Sequence, residues 1–405
     1  LRKLDIPVSF AHIEEAENIQ ESCQLFASCR VVSADARIMN SRKLSVTATL
    51  CISCQVFAPQ SLSLTTGFDE ADEALEILPA SHIVTLPVSA FRREFTLMDD
   101  VNLADFSQYS SIAVPRAELR LSDCRLMNEK AIIKGDAVLH LLAETTDGLL
   151  ENTDCVLPFT QILEADGMKE EQQLCVRFSV RHLDADLRDD GLISVGLGAS
   201  VLLTAFETLT LQTIEDVYHL QHPVQTESRS IELPTCRLIP EMGCEASETL
   251  SVGMKIAQIA DVTAVPDRLM QESSPLSLRM MVCVVYRAED GSYYSMHRAV
   301  QMPLDAPEAA RTVRLQSLQC RASAAVSGED SLVLSLSGRC ALLVQEPLAI
   351  RDLTALTIDT DVCSSAAPVS VILRYMEAGE RLWDIAKSYR TTVDAIRQAN
   401  QISGD

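Results

Sequence analysis

Cysteines, histidines and carboxylates are the residues of this chain that could bind a metal or carry out redox chemistry. Cys51 and Cys54 form a single CxxC motif, and no second pair follows at the spacing of a zinc site. Residues 215–222 combine two carboxylates with two histidines, but no further ligand lies at a supporting distance along the chain. We therefore predict strand packing for the cysteines, a polar strand end or loop for residues 215–222, and neither a metal site nor a cofactor.

A second acidic group, made by Asp184, Asp186, Asp189 and Asp190, has the ligand type that calcium prefers. It lacks the glycine and the terminal glutamate that an EF-hand loop places at fixed positions. The pattern favours a solvated hairpin turn.

Catalytic motifs are absent from the sequence. It has no G-x-S-x-G motif, no phosphate-binding GK[ST] loop and no H-E-x-x-H motif. The paired carboxylates or the cysteine and histidine of a peptidoglycan hydrolase do not occur in a recognisable setting either. We therefore expect a non-enzymatic protein without catalytic residues.

Charge and hydrophobicity limit the partners. The chain has 405 residues, 57 acidic against 34 basic, and a formal net charge of −23. Such an excess opposes nucleic-acid binding, because phosphate contacts need a basic surface. No apolar run approaches the roughly 20 residues of a membrane-spanning helix, so no membrane insertion is expected. The 13 cysteines show no disulfide framework and indicate free thiols in a reducing cytosol.

A long-range repeat organises most of the chain. Apolar residues alternate with polar ones in three similar stretches, which predicts long strands. Each stretch follows a polar turn, and an apolar–proline–apolar step at Pro7, Pro158 or Pro303 precedes each hairpin. The three stretches are residues 43–57, 193–206 and 331–344. The copies recur about 150 residues apart, which indicates a duplicated domain rather than a short solenoid repeat.

The predicted fold class is mainly β, with tandem β-rich, sandwich-like repeat domains followed by a small α/β module. Because the first copy lacks the strand that precedes the proline step in the others, we expect the chain to begin within a domain. Small residues and a proline near residue 368 indicate a linker. The predicted boundaries are 1–94 for a partial domain, 95–235 and 236–362 for two further domains, 363–372 for the linker and 373–405 for the terminal module.

The terminal module changes from a period of two to a helical period. Residues 371–376 are predicted as a short strand and 381–390 as a helix that places Leu382, Ile385, Ala386 and Tyr389 on one face. Thr391 or Thr392 can cap a second helix, which ends at residues 400–402.

This order of elements resembles the LysM domain. The residues that carry the resemblance are Gly379, Leu382-Trp383, Ile385-Ala386, Thr392-Val393 and Asn400. The resemblance implies a βααβ fold whose final strand would lie beyond Asp405, and binding of N-acetylglucosamine polymers or of a protein partner. It implies a binding groove formed by Ala378, Gly379, Glu380, Arg381 and Leu382, with Asn400, Gln401 and Ile402 opposite. Glu380-Arg381 replaces the usual Asp-Thr, and Trp383 is predicted to pack in the core rather than on sugar.

The repeats resemble SPOCS domains of SipL-like spore coat proteins from spore-forming Firmicutes. The matching residues are Lys134-Gly135, Leu157-Pro158-Phe159 and an Ile-x-Asp-x-Tyr element at residues 214–218. The resemblance implies an adaptor in spore coat assembly whose LysM module docks onto a coat morphogenetic ATPase or a peptidoglycan- or chitin-like glycan. It implies a location in the mother-cell cytoplasm at the forespore surface, with self-association through the β domains.

Two other interpretations remain open. The first is a cell-wall protein whose LysM module holds peptidoglycan while the β domains face outward, and a secretion signal would favour it. The second, less favoured, is an enzyme whose catalytic domain lies outside these residues.

Overall fold

The computed structural model describes residues 7–15, 19–68, 73–102, 106–127, 129–272, 275–305, 312–362, 371–377 and 379–402. Strands make up 71% of the structure and helices 5%, which confirms the mainly β fold class. The strands are β1 (Gln24–Asn40), β2 (Lys43–Phe57), β3 (Leu75–Asn102), β4 (Tyr109–Met127), β5 (Lys130–Thr145), β6 (Leu150–Glu164), β7 (Gln173–Leu187), β8 (Leu192–His219), β9 (Val224–Ser251), β10 (Ile256–Met270), β11 (Ser277–Ala288), β12 (Tyr293–Pro303), β13 (Thr312–Val326) and β14 (Ser331–Ile358). The helices are α1 (Leu382–Tyr389) and α2 (Val393–Asn400).

The chain forms two compact units, each built from three segments. The first comprises residues 1–59, 87–207 and 236–346, and the second comprises residues 60–86, 208–235 and 347–405. Four of the five boundaries between them fall inside the four longest strands, β3, β8, β9 and β14, and the fifth lies between β2 and β3. The domain boundaries drawn from the repeat describe the order along the chain and stay a prediction.

The first unit contains the same arrangement of strands twice. In one copy the sheets have the orders β4-β5-β6 and β3-β8-β7, and in the other β10-β11-β12 and β9-β14-β13. The three long alternating strands are present as β2, β8 and β14, each paired antiparallel with the strand before it. Strand order therefore reflects the repeat seen in the sequence.

Each copy encloses one apolar core between its two sheets. In the copy formed by β3 to β8, Ile133, Leu139 and Leu141 of β5 share a core with Leu197 and Leu203 of β8. All five residues are fully buried. The second copy uses the matching strands, and its core includes Leu278, Met280, Met302, Leu332 and Leu342. Each such side chain contributes about 1.5–3 kcal/mol by leaving water. Two sheets around one core form the predicted sandwich.

Position 135 holds a glycine because a side chain there would not fit against the neighbouring strands. A Cβ there would overlap the carbonyl oxygen of Arg120 on β4 and lie 2.8 Å from the ring of Phe159 on β6. The Phe159 ring thus occupies the space that a side chain would need. Gly135 and Phe159 lie opposite each other on the paired strands β5 and β6. The Lys134-Gly135 and Leu157-Pro158-Phe159 motifs therefore meet across these two strands.

The second unit has its own small core. The end segments of β3, β8 and β14 supply Leu75, Ile214, Val217 and Leu353, with Val224 of β9 packed against them. Both helices belong to this unit and have eight residues each. Within the described residues, neither helix has the length or apolar character to span a bilayer.

Candidate functional site

The two helices of the terminal module form where the residue spacing predicts them. In α1, Leu382, Ile385 and Ala386 are buried, whereas Tyr389 is 42% exposed and does not join the predicted apolar face. The Oγ1 atom of Thr392 accepts a hydrogen bond of 3.0 Å from the backbone N–H of Ala395, which confirms the cap of α2. The helical half of the βααβ prediction is therefore correct.

The predicted strand at residues 371–376 is wrong. Residues 371–377 are exposed and have no strand conformation. An extended segment becomes a strand only when its N–H and C=O groups pair with a neighbouring strand. No such partner lies beside this segment among the described residues, while residues 363–370 of the predicted linker fall outside them.

Helix α1 packs on the last residues of β8, which we call the β8 docking segment (residues 213–219). Trp383 is only 7% exposed, and its ring meets Tyr218 edge to face with centroids 4.8 Å apart. Ala386 completes this cluster, with Leu78 and Ile396 at its margin. The core role predicted for Trp383 is confirmed, and its partner is a residue of the repeat region.

Polar contacts surround the Trp383 ring. Its indole Nε1–H donates to Oδ2 of Asp216 over 2.9 Å, and Nζ of Lys387 donates to both oxygens of that carboxylate over 2.7 and 2.6 Å. The Tyr218 hydroxyl donates to the carbonyl oxygen of Thr391 over 2.7 Å. One carboxylate and one phenol therefore anchor α1 and the turn that follows it.

The protonation states of these groups suit their roles. Burial alone would raise the pKa of Asp216, but hydrogen bonds from Lys387 and Trp383 outweigh burial and lower that pKa below its usual 3.8. Burial and the nearby carboxylates of Glu76 and Asp216 raise the pKa of Tyr218 to about 12. At neutral pH the carboxylate is ionised and the phenol keeps its proton to donate.

His219, at the end of this segment, has a structural role. His219 is 3% exposed, and its Nδ1 accepts from the backbone N–H groups of Gln221 and His222 over 3.0 and 2.9 Å. That nitrogen closes the turn between β8 and β9. In the part of the chain that the structure describes, no group of three histidine, cysteine or acidic side chains has metal-binding geometry.

The CxxC pair is divided by the strand that holds it. Cys51 and Cys54 both lie on β2, and residues three apart in a strand point to opposite faces. The twelve described cysteines are all free thiols. The pair cannot converge on one ligand while β2 remains extended.

The β8 docking segment has no counterpart on β14, the corresponding strand of the other copy in the first unit. Counted from the start of each 28-residue strand, Asp216 and Tyr218 correspond to Ala355 and Thr357 of β14. Neither replacement offers a carboxylate or a phenol, whereas the core residue Ile214 corresponds to Leu353. Sequence reasoning missed this role, although the Ile-x-Asp-x-Tyr pattern that marks it was recognised.

On the first side of the predicted groove, the structure assigns different roles to the residues. Ala378 lies outside the described residues, and Gly379 is exposed in a turn with φ of 87°. The Glu380 carboxylate pairs with Arg374. Arg381 pairs with Glu215 over 2.6 Å, and Leu382 is 2% exposed. The Leu382 side chain therefore belongs to the core, and Arg381 supports the contact with β8.

The residues on the second side of the predicted groove are accessible. Asn400 is exposed and donates through Nδ2 to the carbonyl oxygen of Ile396 over 2.9 Å. Gln401 takes a left-handed conformation with φ of 54° at the end of α2, and Ile402 is 37% exposed. Together with Gly379, these residues are the exposed part of the predicted groove.

Comparison with known proteins identifies this module alone. Residues 377–405 match the LysM domain family. No curated protein and no solved structure matches the chain. The LysM match supports binding of a peptidoglycan- or chitin-like glycan by the terminal module.

Substitution of Asp216 by asparagine is expected to loosen α1 from β8 by about 1.5–3 kcal/mol, because the change removes a charged hydrogen-bond acceptor. The pKa of Asp216 is lowered on folding, so its stabilisation is present above the unfolded-state pKa and is lost as the pH falls through the folded-state value. The emission of Trp383, the sole tryptophan, measured between neutral and strongly acidic pH, checks this.

In that titration, the emission of the wild type should shift to longer wavelength in acid, whereas the Asp216→Asn protein should already be shifted at neutral pH. Asp394→Asn is the control, because Asp394 is 82% exposed on α2 and lies outside the contact with β8. An Asp216→Asn protein with the wild-type acid transition would contradict this assignment.

Proposed function

We propose that this protein is a non-enzymatic adaptor whose LysM module binds an N-acetylglucosamine polymer or a protein partner while the β domains form a scaffold. The observation that carries the proposal is the division of surface on the module. Trp383, Lys387 and Arg381 face the β8 docking segment, whereas Gly379, Asn400, Gln401 and Ile402 remain exposed. The module is anchored through one side and accessible through another.

Contacts that order a small binding module before its ligand arrives increase its affinity for that ligand. A ligand that binds a surface already ordered by the rest of the protein does not have to supply the entropy cost of ordering it. The contacts of Asp216 and Tyr218 order α1 and the start of α2 in advance. The exposed turn at Gly379 and the end of α2 then offer backbone N–H and C=O groups to acetamide groups, and Ile402 offers an apolar contact to a sugar face.

The biological setting that we propose is spore coat assembly. The resemblance of the repeats to SPOCS domains supports it, and the Ile-x-Asp-x-Tyr element of that resemblance is the segment that holds the LysM module. In this setting the protein acts in the mother-cell cytoplasm at the forespore surface, where free thiols such as the twelve described here are stable. A coat morphogenetic ATPase is the proposed protein partner, and the β domains provide surfaces for self-association.

Binding of N-acetylglucosamine oligomers to the full chain tests the role of the module. We expect saturable binding by calorimetry, weakened about fivefold or more by Asn400→Ala and by Ile402→Ser, because each removes a contact at the exposed end of α2. Gln398→Ala is the matched control on an exposed position of the same helix. Trp383 emission should change little on binding, because that ring is buried against Tyr218.

The same measurement separates glycan binding from protein docking. A folded chain that does not bind oligomers at millimolar concentration would exclude the glycan role and leave docking to the coat ATPase, which a binding assay between the two purified proteins then decides. The specific observation favouring the cell-wall alternative is the LysM match itself, which supports glycan binding without reference to a spore. Retention on insoluble vegetative peptidoglycan, with no binding to the ATPase, would favour that alternative.

A further inference from the structure

The first unit contains a large cavity that the proposed function does not use. Its volume is about 1150 Å³. Residues 174–180 of β7, 313–319 of β13, 28–30 of β1 and 51–55 of β2 form much of its wall. This volume is slightly above the roughly 300–1,000 Å³ of most small-molecule sites, so a ligand of that class would fit.

Arginines without carboxylate partners line this cavity. Arg177 of β7 lies within electrostatic range of Arg30 on β1 and Arg314 on β13, and all three contribute to the wall. Among the described residues, no acidic side chain pairs with any of the three. In the described part of the chain, the one side-chain hydrogen bond from this group runs from Arg30 to the backbone carbonyl oxygen of Asp267, over 3.1 Å. Three arginines from three different strands therefore lie in the wall of one cavity.

The surroundings of Arg177 disfavour its positive charge. Burial lowers its pKa, and repulsion from Arg30, Arg314 and Arg92 lowers it further. Like charges that share a site destabilise the folded state unless a counter-charge lies between them. An anion in the cavity would supply that counter-charge.

Acidic residues of the wall do not supply the missing charge, because they are paired with other cations. Asp267 pairs with Arg279 over 3.2 Å, and Glu118 pairs with Arg120 over 2.8 Å. Glu241 pairs with Arg339. The wall around Arg177 therefore stays positive in a chain whose net charge is −23.

A buried amide adds a neutral donor to the same wall. Gln316 is 8% exposed, lines the cavity, and accepts a hydrogen bond from the Cys175 thiol over 3.3 Å through its side-chain oxygen. Its side-chain NH₂ group makes no hydrogen bond within the described part of the chain. A ligand oxygen in the cavity would be able to accept a hydrogen bond from this NH₂ group.

We propose that this cavity is a binding site for a polyvalent oxyanion, carrying phosphate or several carboxylates, held by Arg30, Arg177 and Arg314 with the amide of Gln316 as a further donor. Guanidinium groups present paired N–H donors that match both kinds of oxyanion. The site joins strands from both copies of the repeat and from the β1–β2 hairpin, so its ligand would also link these parts of the first unit.

Calorimetric titration of the full chain at low ionic strength tests the site, with inorganic pyrophosphate and citrate as separate probes. We expect saturable binding of at least one of them, and an increase in the melting temperature that grows with its concentration. Arg177→Gln and Arg314→Gln should each weaken binding by about tenfold or more. Arg321→Gln is the matched control, because Arg321 is exposed on β13 outside the cavity wall.

The relative affinity for the two probes identifies the class of ligand. Preference for pyrophosphate assigns a phosphoryl ligand, and preference for citrate assigns a carboxylate ligand. Absence of saturable binding of either probe up to roughly 10 mM, or equal weakening by Arg321→Gln, would overturn the proposal. Arg314 is exposed, so Arg314→Gln decides the result if Arg177→Gln fails to fold.

Discussion

Substitution of Trp383 by alanine is expected to release helix α1 from β8 and to cost about 3–5 kcal/mol in the free energy that holds the LysM module in place. The ring is 7% exposed, packs edge to face on Tyr218 and donates to Asp216. Its removal leaves a cavity in this cluster and a partly buried carboxylate with one partner fewer. Hydrogen exchange of the amides in residues 382–400 of the full chain measures the loss directly.

One further variant tests the cause of that loss of protection, and a second serves as the control. Trp383→Phe keeps a ring against Tyr218 but loses the N–H donor, so we expect it to recover part of the protection. Ser388→Ala is the control, because Ser388 is exposed on the same helix and its hydroxyl donates to the carbonyl oxygen of Asp384, within α1. If Trp383→Ala left exchange in residues 382–400 unchanged, the module would not depend on the β8 docking segment.

The second large effect is expected from Gly338→Ala in the first unit. A Cβ at this position of β14 would overlap the carbonyl oxygen of Gln319 and lie 3.0 Å from the Cα of Cys320, both on the paired strand β13. Backbone atoms cannot move aside as a side chain can, so the strands must separate. We expect a loss of about 1–3 kcal/mol or more, measured as a lower denaturant midpoint for unfolding.

The matched control for this substitution is Gly243→Ala in the same three-stranded sheet. Gly243 lies on β9, and a Cβ there would meet no atom within 4 Å. Alanine should be neutral at that position or stabilise by about 0.4–1 kcal/mol, because it restricts the unfolded chain. Equal destabilisation by the two variants would mean that the crowding at Gly338 is not the cause.

Crowding of the same kind occurs at Gly135 on β5, in the other copy of the repeat. Gly135 faces the Arg120 carbonyl oxygen and the Phe159 ring, and Gly338 faces the backbone of β13. Both glycines occur where one strand approaches its neighbour too closely for a side chain. Gly135→Ala should therefore also destabilise the first unit, with Gly196→Ala on β8 as its control.

Local features of the sequence were sufficient to predict the long alternating strands and the two helices. Alternation of polar and apolar residues over 43–57, 193–206 and 331–344 predicted β2, β8 and β14, because side chains alternate between the two faces of a strand. Spacing and capping predicted α1 and α2, since both depend on residues within two turns of helix. The strand predicted at 371–376 failed because a strand needs a partner that local sequence does not reveal.

Only the tertiary structure decided where the module is held and which groove residues stay open. Asp216 and Trp383 are 167 residues apart in the chain, so no local pattern connects the carboxylate with the indole. Arg381 and Leu382 follow the turn that a LysM groove uses, yet packing directs one to Glu215 and buries the other. The arginines of the cavity come from three separate strands, and their side chains approach one another only once the β1–β2 hairpin and the two copies of the repeat have packed together. Sequence periodicity determines local conformation, whereas contacts between distant segments depend on the packing of the whole chain.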